Sequence, residues 1–167
     1  MVVMTTETRS TRSETTLCAS VALDHPATDV ADFVLDWGND HLWRSHVRGF
    51  TCTPPGRATP GQQLVEELTF AGLRFTTPTV VDRASALSAG YSGGSPTVTV
   101  TGVRTVVAQG PSSCVLTTTT RLRFGGLLRP FVPLLTPSYR RLDASDLAGL
   151  PAVLAHLAEL ERDRVQR

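Results

Sequence analysis

The sequence predicts an α+β domain in which one antiparallel sheet is covered by helix. Three observations carry this. A short opening strand switches from period 2 to period 3.6 at a proline. About eighty residues of period-2 patterning then follow, broken at intervals by glycine. The chain closes on a long amphipathic stripe.

In the opening strand, Thr16 to Leu23, the apolar set Leu17, Ala19, Val21 and Leu23 alternates with Cys18, Ser20 and Ala22. In "DHPATDVADFVLDW", Pro26 suits a first helical position, and Asp29 lies where the helix dipole favours a carboxylate. Val30, Phe33, Val34 and Trp37 then mark one buried stripe, which Gly38 and Asn39 end. "DHLWRSHV" predicts a second, shorter helical turn.

Six strands are expected next, at Val47–Thr53, Gln62–Phe70, Leu73–Asp82, Ala86–Tyr91, Thr97–Ala108 and Cys114–Phe124. The breaks "PPGRATPG", "AG", "SGGSP" and "QGPSS" have hairpin spacing, so the strands form a meander, seven with the opening strand. "GGLLRPFVPLLTPSYRRL" reads as an irregular apolar lead-in. From Asp143 onward Leu147, Leu150, Val153, Leu154, Leu157 and Leu160 give a helix stripe, which Gly149 and Pro151 should kink or restart. Residues 1–14 read as a disordered, Thr-rich polar tail, and 15–167 as a single domain.

Composition excludes several classes of function. The chain is 41% hydrophobic and 19% charged, ordinary for a globular protein. Net charge is +1 with scattered arginines, so no phosphate-tracking stripe is present and nucleic acid is not an expected partner. All 16 basic residues are Arg, which excludes Schiff-base, pyridoxal-phosphate and P-loop chemistry that needs a lysine. Cys18, Cys52 and Cys114 are odd in number and widely spaced, which fits a reducing cytoplasm. No apolar run has signal-peptide or membrane-spanning length, so no membrane insertion is expected.

The order of elements resembles the helix-grip fold of the START-like (SRPBCC) superfamily, in particular its polyketide cyclase/dehydrase and lipid-transport branch. The features that carry it are "LDHPATDVADFVLD", Trp43 just before "VRGFTCT", the hairpin "GQQLVEELTFAGLRFTTPTVV", and the closing "DLAGLPAVLAHLAELE". Together they span about residues 15 to 163. The resemblance implies a curved seven-stranded antiparallel sheet, two short helices and a long C-terminal helix enclosing a cavity for a hydrophobic small molecule. Some such proteins fold and cyclise polyketide chains there, and others only carry a ligand. No cofactor or metal is implied, and a homodimer stays open.

Motifs that suggest other chemistry fail on context. "GYSGG", Gly90 to Gly94, fits G-x-S-x-G, with Asp143 or Asp146 and His156 downstream. A hydrolase elbow needs a helix after Ser92, whereas "SPTVTVTGV" is strand. His41 and His46 have the wrong spacing for one helical face, so no metal site follows.

Strand parity supplies the candidate site. Glu66 shares a face with Leu64, Leu68 and Phe70, and Gly102 and Arg104 share one with Val98, Val100 and Val106. A carboxylate and a guanidinium in an apolar interior each need a partner or a ligand. If they meet, Glu66 serves as base and Arg104 as oxyanion stabiliser, with Tyr91 or His46 as proton donor. A bulge at Gly102 would instead leave Arg104 in solvent, and Val65 rather than Glu66 could face inward. Trp43, Phe50, Leu64, Leu68, Phe75, Val100, Thr118 and Thr120 are the expected ligand-contacting wall, Trp43 being either such a wall or a plug between helix and sheet. The expected function is a cofactor-independent cyclase or dehydratase, and the alternative is a carrier of lipid, quinone or polyketide.

Overall fold

The structure, a computed structural model, describes residues 4–11, 13–70, 73–126 and 132–165. Eight strands form one antiparallel sheet: β1 Met4–Ser10, β2 Glu14–Leu23, β3 Val47–Thr53, β4 Gln63–Phe70, β5 Leu73–Ala84, β6 Ser88–Gly94, β7 Val98–Gly110 and β8 Ser113–Phe124. Their order across the sheet is β1-β2-β8-β7-β6-β5-β4-β3. The six-strand meander is therefore present, and β2 closes onto its last member. The count is eight rather than seven because Met4–Ser10, expected as tail, pairs in register with Val21 to Thr15. β2 would otherwise be an edge with unpaired backbone groups, and a Thr-rich segment with strand propensity covers it.

Burial alternates as strand geometry requires. Leu17, Ala19, Val21 and Leu23 of β2 are buried, as are Cys114, Leu116 and Thr118 of β8 and Val100, Gly102, Arg104 and Val106 of β7. One extra residue in β3, Arg48, is accommodated by a bulge, so Val47 and Phe50, three apart, both point inward. β7 and β8 pair one to one from Val98 to Ala108, so Gly102 carries no bulge. Its lack of a side chain has another cause: a Cβ there would lie 2.3 Å from Cζ of Tyr91, the residue paired with it on β6.

Helix α1, Ala27–Val34, starts directly after Pro26 and buries Val30, Ala31 and Val34. It is shorter than the stripe to Trp37 suggested. A single 3₁₀ turn, Trp37–Asn39, follows, capped by the Asp36 carboxylate accepting from the Gly38 amide, and α2 is one turn, Asp40–Trp43. Helix α3 runs from Val132 to Val165 and contains Pro137 and Pro151. From Val132 on the lead-in is thus helical, residues 127–131 of it lying outside the described residues, and Pro151 does not restart the helix; burial of Asp146, Leu147, Leu150 and Leu154 against the domain holds it. α3 packs on β2, β1 and α2, while α1 covers β7 and β8. Among the described residues no helix is long and apolar enough to cross a membrane.

Candidate functional site

The centre of the inner sheet face holds a chain of four charged side chains. Arg104 of β7 points inward and is buried. It donates from Nη1 to Asp40 Oδ1 at 2.6 Å and to the Val34 carbonyl at 2.7 Å, and from Nη2 to Asp40 Oδ2 at 2.6 Å. Asp40, at the start of α2, is fully buried. Arg44, which caps the C-terminal end of α2, donates from Nη1 to Asp40 Oδ2 at 2.8 Å and to Glu66 Oε1 at 2.7 Å. Glu66 and Arg104 therefore both face the interior, as strand parity predicts, but they do not meet. Two residues of the intervening turn stand between them, and each takes one as its partner.

Charge and burial explain the network. Burial alone pushes the Asp40 carboxyl up, but Arg104 and Arg44 outweigh it and hold the group below the ordinary carboxylate range. Burial likewise opposes the Arg44 charge, and Glu66 and Asp40 more than restore it. The Arg104 guanidinium carbon lies 5.0 Å from the ring centroids of both Trp37 and Trp43. Trp43 is thus a buried plug between α2 and the sheet. Arg104, with both Nη1 hydrogens and one Nη2 hydrogen committed and its charge matched by Asp40, is poorly placed to serve as an oxyanion donor. Arg44 is the more accessible guanidinium, its side chain 11% exposed beside a Glu66 that is 15% exposed.

Tyr91 lies over Gly102 and meets Trp37 edge to face, with ring centroids 5.6 Å apart. Burial and the neighbouring Glu66 raise its pKa, so the phenol stays protonated and remains a donor across neutral pH. His46, expected at a pocket mouth, is buried. Its Nδ1 lies 2.9 Å from Asp146 Oδ2 on α3, its Nε2 is 3.4 Å from Arg44 Nη2, and its ring centroid is 6.2 Å from that of Tyr139. The other Asp146 oxygen accepts from the Ser45 amide at 3.0 Å and the Ser45 hydroxyl at 2.9 Å. Asp143, one turn earlier on α3, has its pKa raised by burial against the pull of Arg44.

Asp40, Arg44 and Tyr139 were not anticipated, and Asp146 was considered only for a hydrolase triad. Two signals pointed to three of these: Asp40 and Arg44 have the i, i+4 spacing of a helical ion pair, and Asp146 shares a helix face with Leu150 and Val153.

A cavity of about 690 Å³ opens at the end of the sheet where β4 turns into β5. Among the described residues it is lined by Arg48, Glu67, Leu68, Thr69, Arg74, Phe75 and Thr76. Leu68 and Phe75 of the expected wall are there. Leu64 and Val100 are instead core residues, and Phe50 is half-buried against that core. Thr118 and Thr120 lie on the inner face of β8, opposite Arg104 and Gly102. The expected wall is divided because Trp37, Trp43, Tyr91 and Arg104 fill the middle of the interior. Two buried polar atoms there, Thr118 Oγ1 and Trp43 Nε1, make no hydrogen bond. Ser92 of the G-x-S-x-G match lies in β6, with β7 following and no helix beneath it.

No family model matches the sequence, and no curated protein matches it. Solved structures do match the fold. Human STARD10 is 14% identical with a TM-score of 0.71, over 98% of this chain and 74% of that one. The Zhui aromatase/cyclase from Streptomyces sp. R1128 is 15% identical with a TM-score of 0.69, over 83% and 92%. A START superfamily protein from Mycobacterium smegmatis is 16% identical with a TM-score of 0.62, over 87% and 97%. The chain has an α+β helix-grip fold, the fold of these START-domain and aromatase/cyclase structures. Its structural neighbours include both aromatase/cyclases and a lipid-transfer domain, the latter from human StarD13.

Proposed function

We propose that this chain is a small-molecule cyclase or dehydratase that holds a flexible, mostly apolar, oxygen-bearing chain and promotes its ring closure. The observation that carries the reading is the Arg44–Glu66 pair on the inner face of β4, each side chain partly accessible. A carrier of apolar ligands needs no such pair, and keeping charges inside a domain is costly unless they are used or fully matched.

In this reading Glu66 takes a proton from a carbon next to a carbonyl. Arg44 carries the oxyanion role that residue spacing assigns to Arg104, and its link to Asp40 keeps its charge in place. Tyr91, protonated at neutral pH, returns a proton to the departing oxygen, with His46 the second candidate donor. Thr118 Oγ1 and Trp43 Nε1 are the groups a ligand oxygen would satisfy. The aromatase/cyclase among the structural neighbours supports the reading at the level of fold.

The test uses a synthetic poly-β-ketone thioester as surrogate substrate, with mass spectrometry scoring loss of water and ring formation. The expected result is accelerated closure that falls at least about a hundredfold in Glu66→Gln and about tenfold in Tyr91→Phe, with surrogate binding retained. Closure no faster than in buffer overturns the enzyme reading. An apolar molecule retained in native mass spectrometry of the same inactive protein would then identify a carrier, the reading that the StarD13 domain supports.

A further inference from the structure

The interior network does not end at Arg44. Toward α3 it continues through His46 to Asp146, two residues that are each more than nine-tenths buried. Asp146 Oδ1 accepts from both the amide and the hydroxyl of Ser45, which turns Oδ2 toward His46 Nδ1 at 2.9 Å. That short, bent contact is the one polar contact either atom makes among the described residues. On the other side of the ring, Nε2 lies 3.4 Å from Arg44 Nη2. The backbone holds the ring in place. The His46 carbonyl accepts from the Thr69 amide at 3.1 Å, and the Val47 amide donates to the Arg44 carbonyl at 3.1 Å.

Matching donors to acceptors fixes the proton on this ring. A guanidinium only donates, so the Nε2 that faces Arg44 must present a lone pair. The proton of the neutral imidazole then sits on Nδ1, where the Asp146 carboxylate receives it. For Arg44 the consequence is orientation. Its bonds to Asp40 and Glu66 both leave from one nitrogen, Nη1, and about such a pivot the guanidinium plane can swing. The bond from Nη2 to His46 is the third point that stops it. Two Arg44 hydrogens, one on Nη2 and one on Nε, are left without a partner among the described residues, which suffices for a two-point grip on an oxygen anion.

We propose that His46 is a positioning residue: held by Asp146 of α3, it presents an unprotonated Nε2 to Arg44 and fixes the guanidinium that faces the substrate oxygen. The proposal rests on the reading above for the chemistry it serves. It moves His46 out of the candidate proton donors and leaves that role to Tyr91, because an imidazole protonated on Nε2 would point N–H at N–H across 3.4 Å. Helix α3 thereby reaches the Arg44–Glu66 pair through two side chains, Asp146 and His46.

Two measurements test it, the first independent of any turnover. NMR of the full chain carrying nitrogen-isotope-labelled histidine reads the ring nitrogens of His46, identified by the loss of their signals in His46→Gln. At neutral pH Nδ1 is expected to be protonated and Nε2 unprotonated. A proton on Nε2, or on both nitrogens, overturns the proposal. The second measurement is closure of the poly-β-ketone thioester. His46→Leu removes the acceptor and is expected to lower kcat about tenfold while KM changes less than about twofold. His46→Gln, whose side-chain carbonyl can take the place of Nε2, is expected to recover most of that loss. Equal losses in the two variants overturn the proposal and return His46 to proton transfer. A His46→Leu rate equal to wild type overturns it as well. The wild-type ring spectrum needs neither a folded variant nor a substrate, so absence of ring closure sinks the enzyme reading without touching the tautomer, and the two fail separately.

Discussion

At the scale of the residue, Arg104 shows how a correct orientation can lead to a different role. Alternation along β7 puts it inside, and it is buried there. Its partner is Asp40, and together with the indole rings of Trp37 and Trp43 it builds a fixed polar post between α2 and the sheet. Removing one member of such a pair strands the other charge in the core. Arg104→Met is therefore expected to cost about 3–5 kcal/mol in chemical denaturation, and Arg104→Met with Asp40→Leu to recover much of that loss. A cost near zero for the single change would show that Asp40 is not held as described. Gly102 carries a similar lesson. From spacing alone it admits a bulge, but its function is to leave room for the Tyr91 ring.

At the scale of the element, α3 is joined to the rest of the molecule by polar contacts as well as by its leucines. Asp146 receives the Ser45 amide and hydroxyl and faces His46, all three at the entry to β3. Asp146→Ala removes two hydrogen bonds to a charged acceptor, from the Ser45 amide and hydroxyl, and is expected to cost about 1–3 kcal/mol. Hydrogen exchange would locate the loss: faster exchange in α3 and at the start of β3, with the β7–β8 pair still protected. Equal protection everywhere would mean that the leucine stripe alone secures the helix. The elements themselves were largely legible. Strand alternation and glycine breaks gave the meander, and Pro26 gave the start of α1. The early start of α3 was hidden because Pro133 and Pro137 look like breakers, while docking of the later turns stabilises the whole rod.

At the scale of the whole molecule, the buried carboxylates set the acid limit of stability. Burial acts to raise the Asp146 pKa, but His46 and Ser45 outweigh it, so Asp146 joins Asp40 below the ordinary carboxylate value. A depressed folded-state pKa gives stability that is complete above the unfolded value and is lost as pH falls through the folded one. Asp143 acts in the opposite sense, because its raised pKa makes its ionised form a burden that protonation relieves. Two carboxylates against one predict a melting temperature that falls between about pH 4 and about pH 2, with Asp143→Asn steepening the fall relative to neutral pH. A flat profile over that range would contradict the charged assignment of Asp40 and Asp146.

The sequence by itself determined the order of elements from β2 onward and the alternation of residues along each strand, and it named Glu66 and Arg104 as candidates for the interior while leaving their register open. These depend on local periodicity, which every segment carries in its own residues. Only the tertiary structure decided who pairs with whom. Arg104 and Asp40 are 64 residues apart, and Ser45 and Asp146 are 101 apart. Several carboxylates were chemically equivalent partners for each cation, and the docking of α2 and α3 on the sheet selected among them. The cavity followed the same rule: its place at the β4–β5 end was set by the large side chains that filled the centre first.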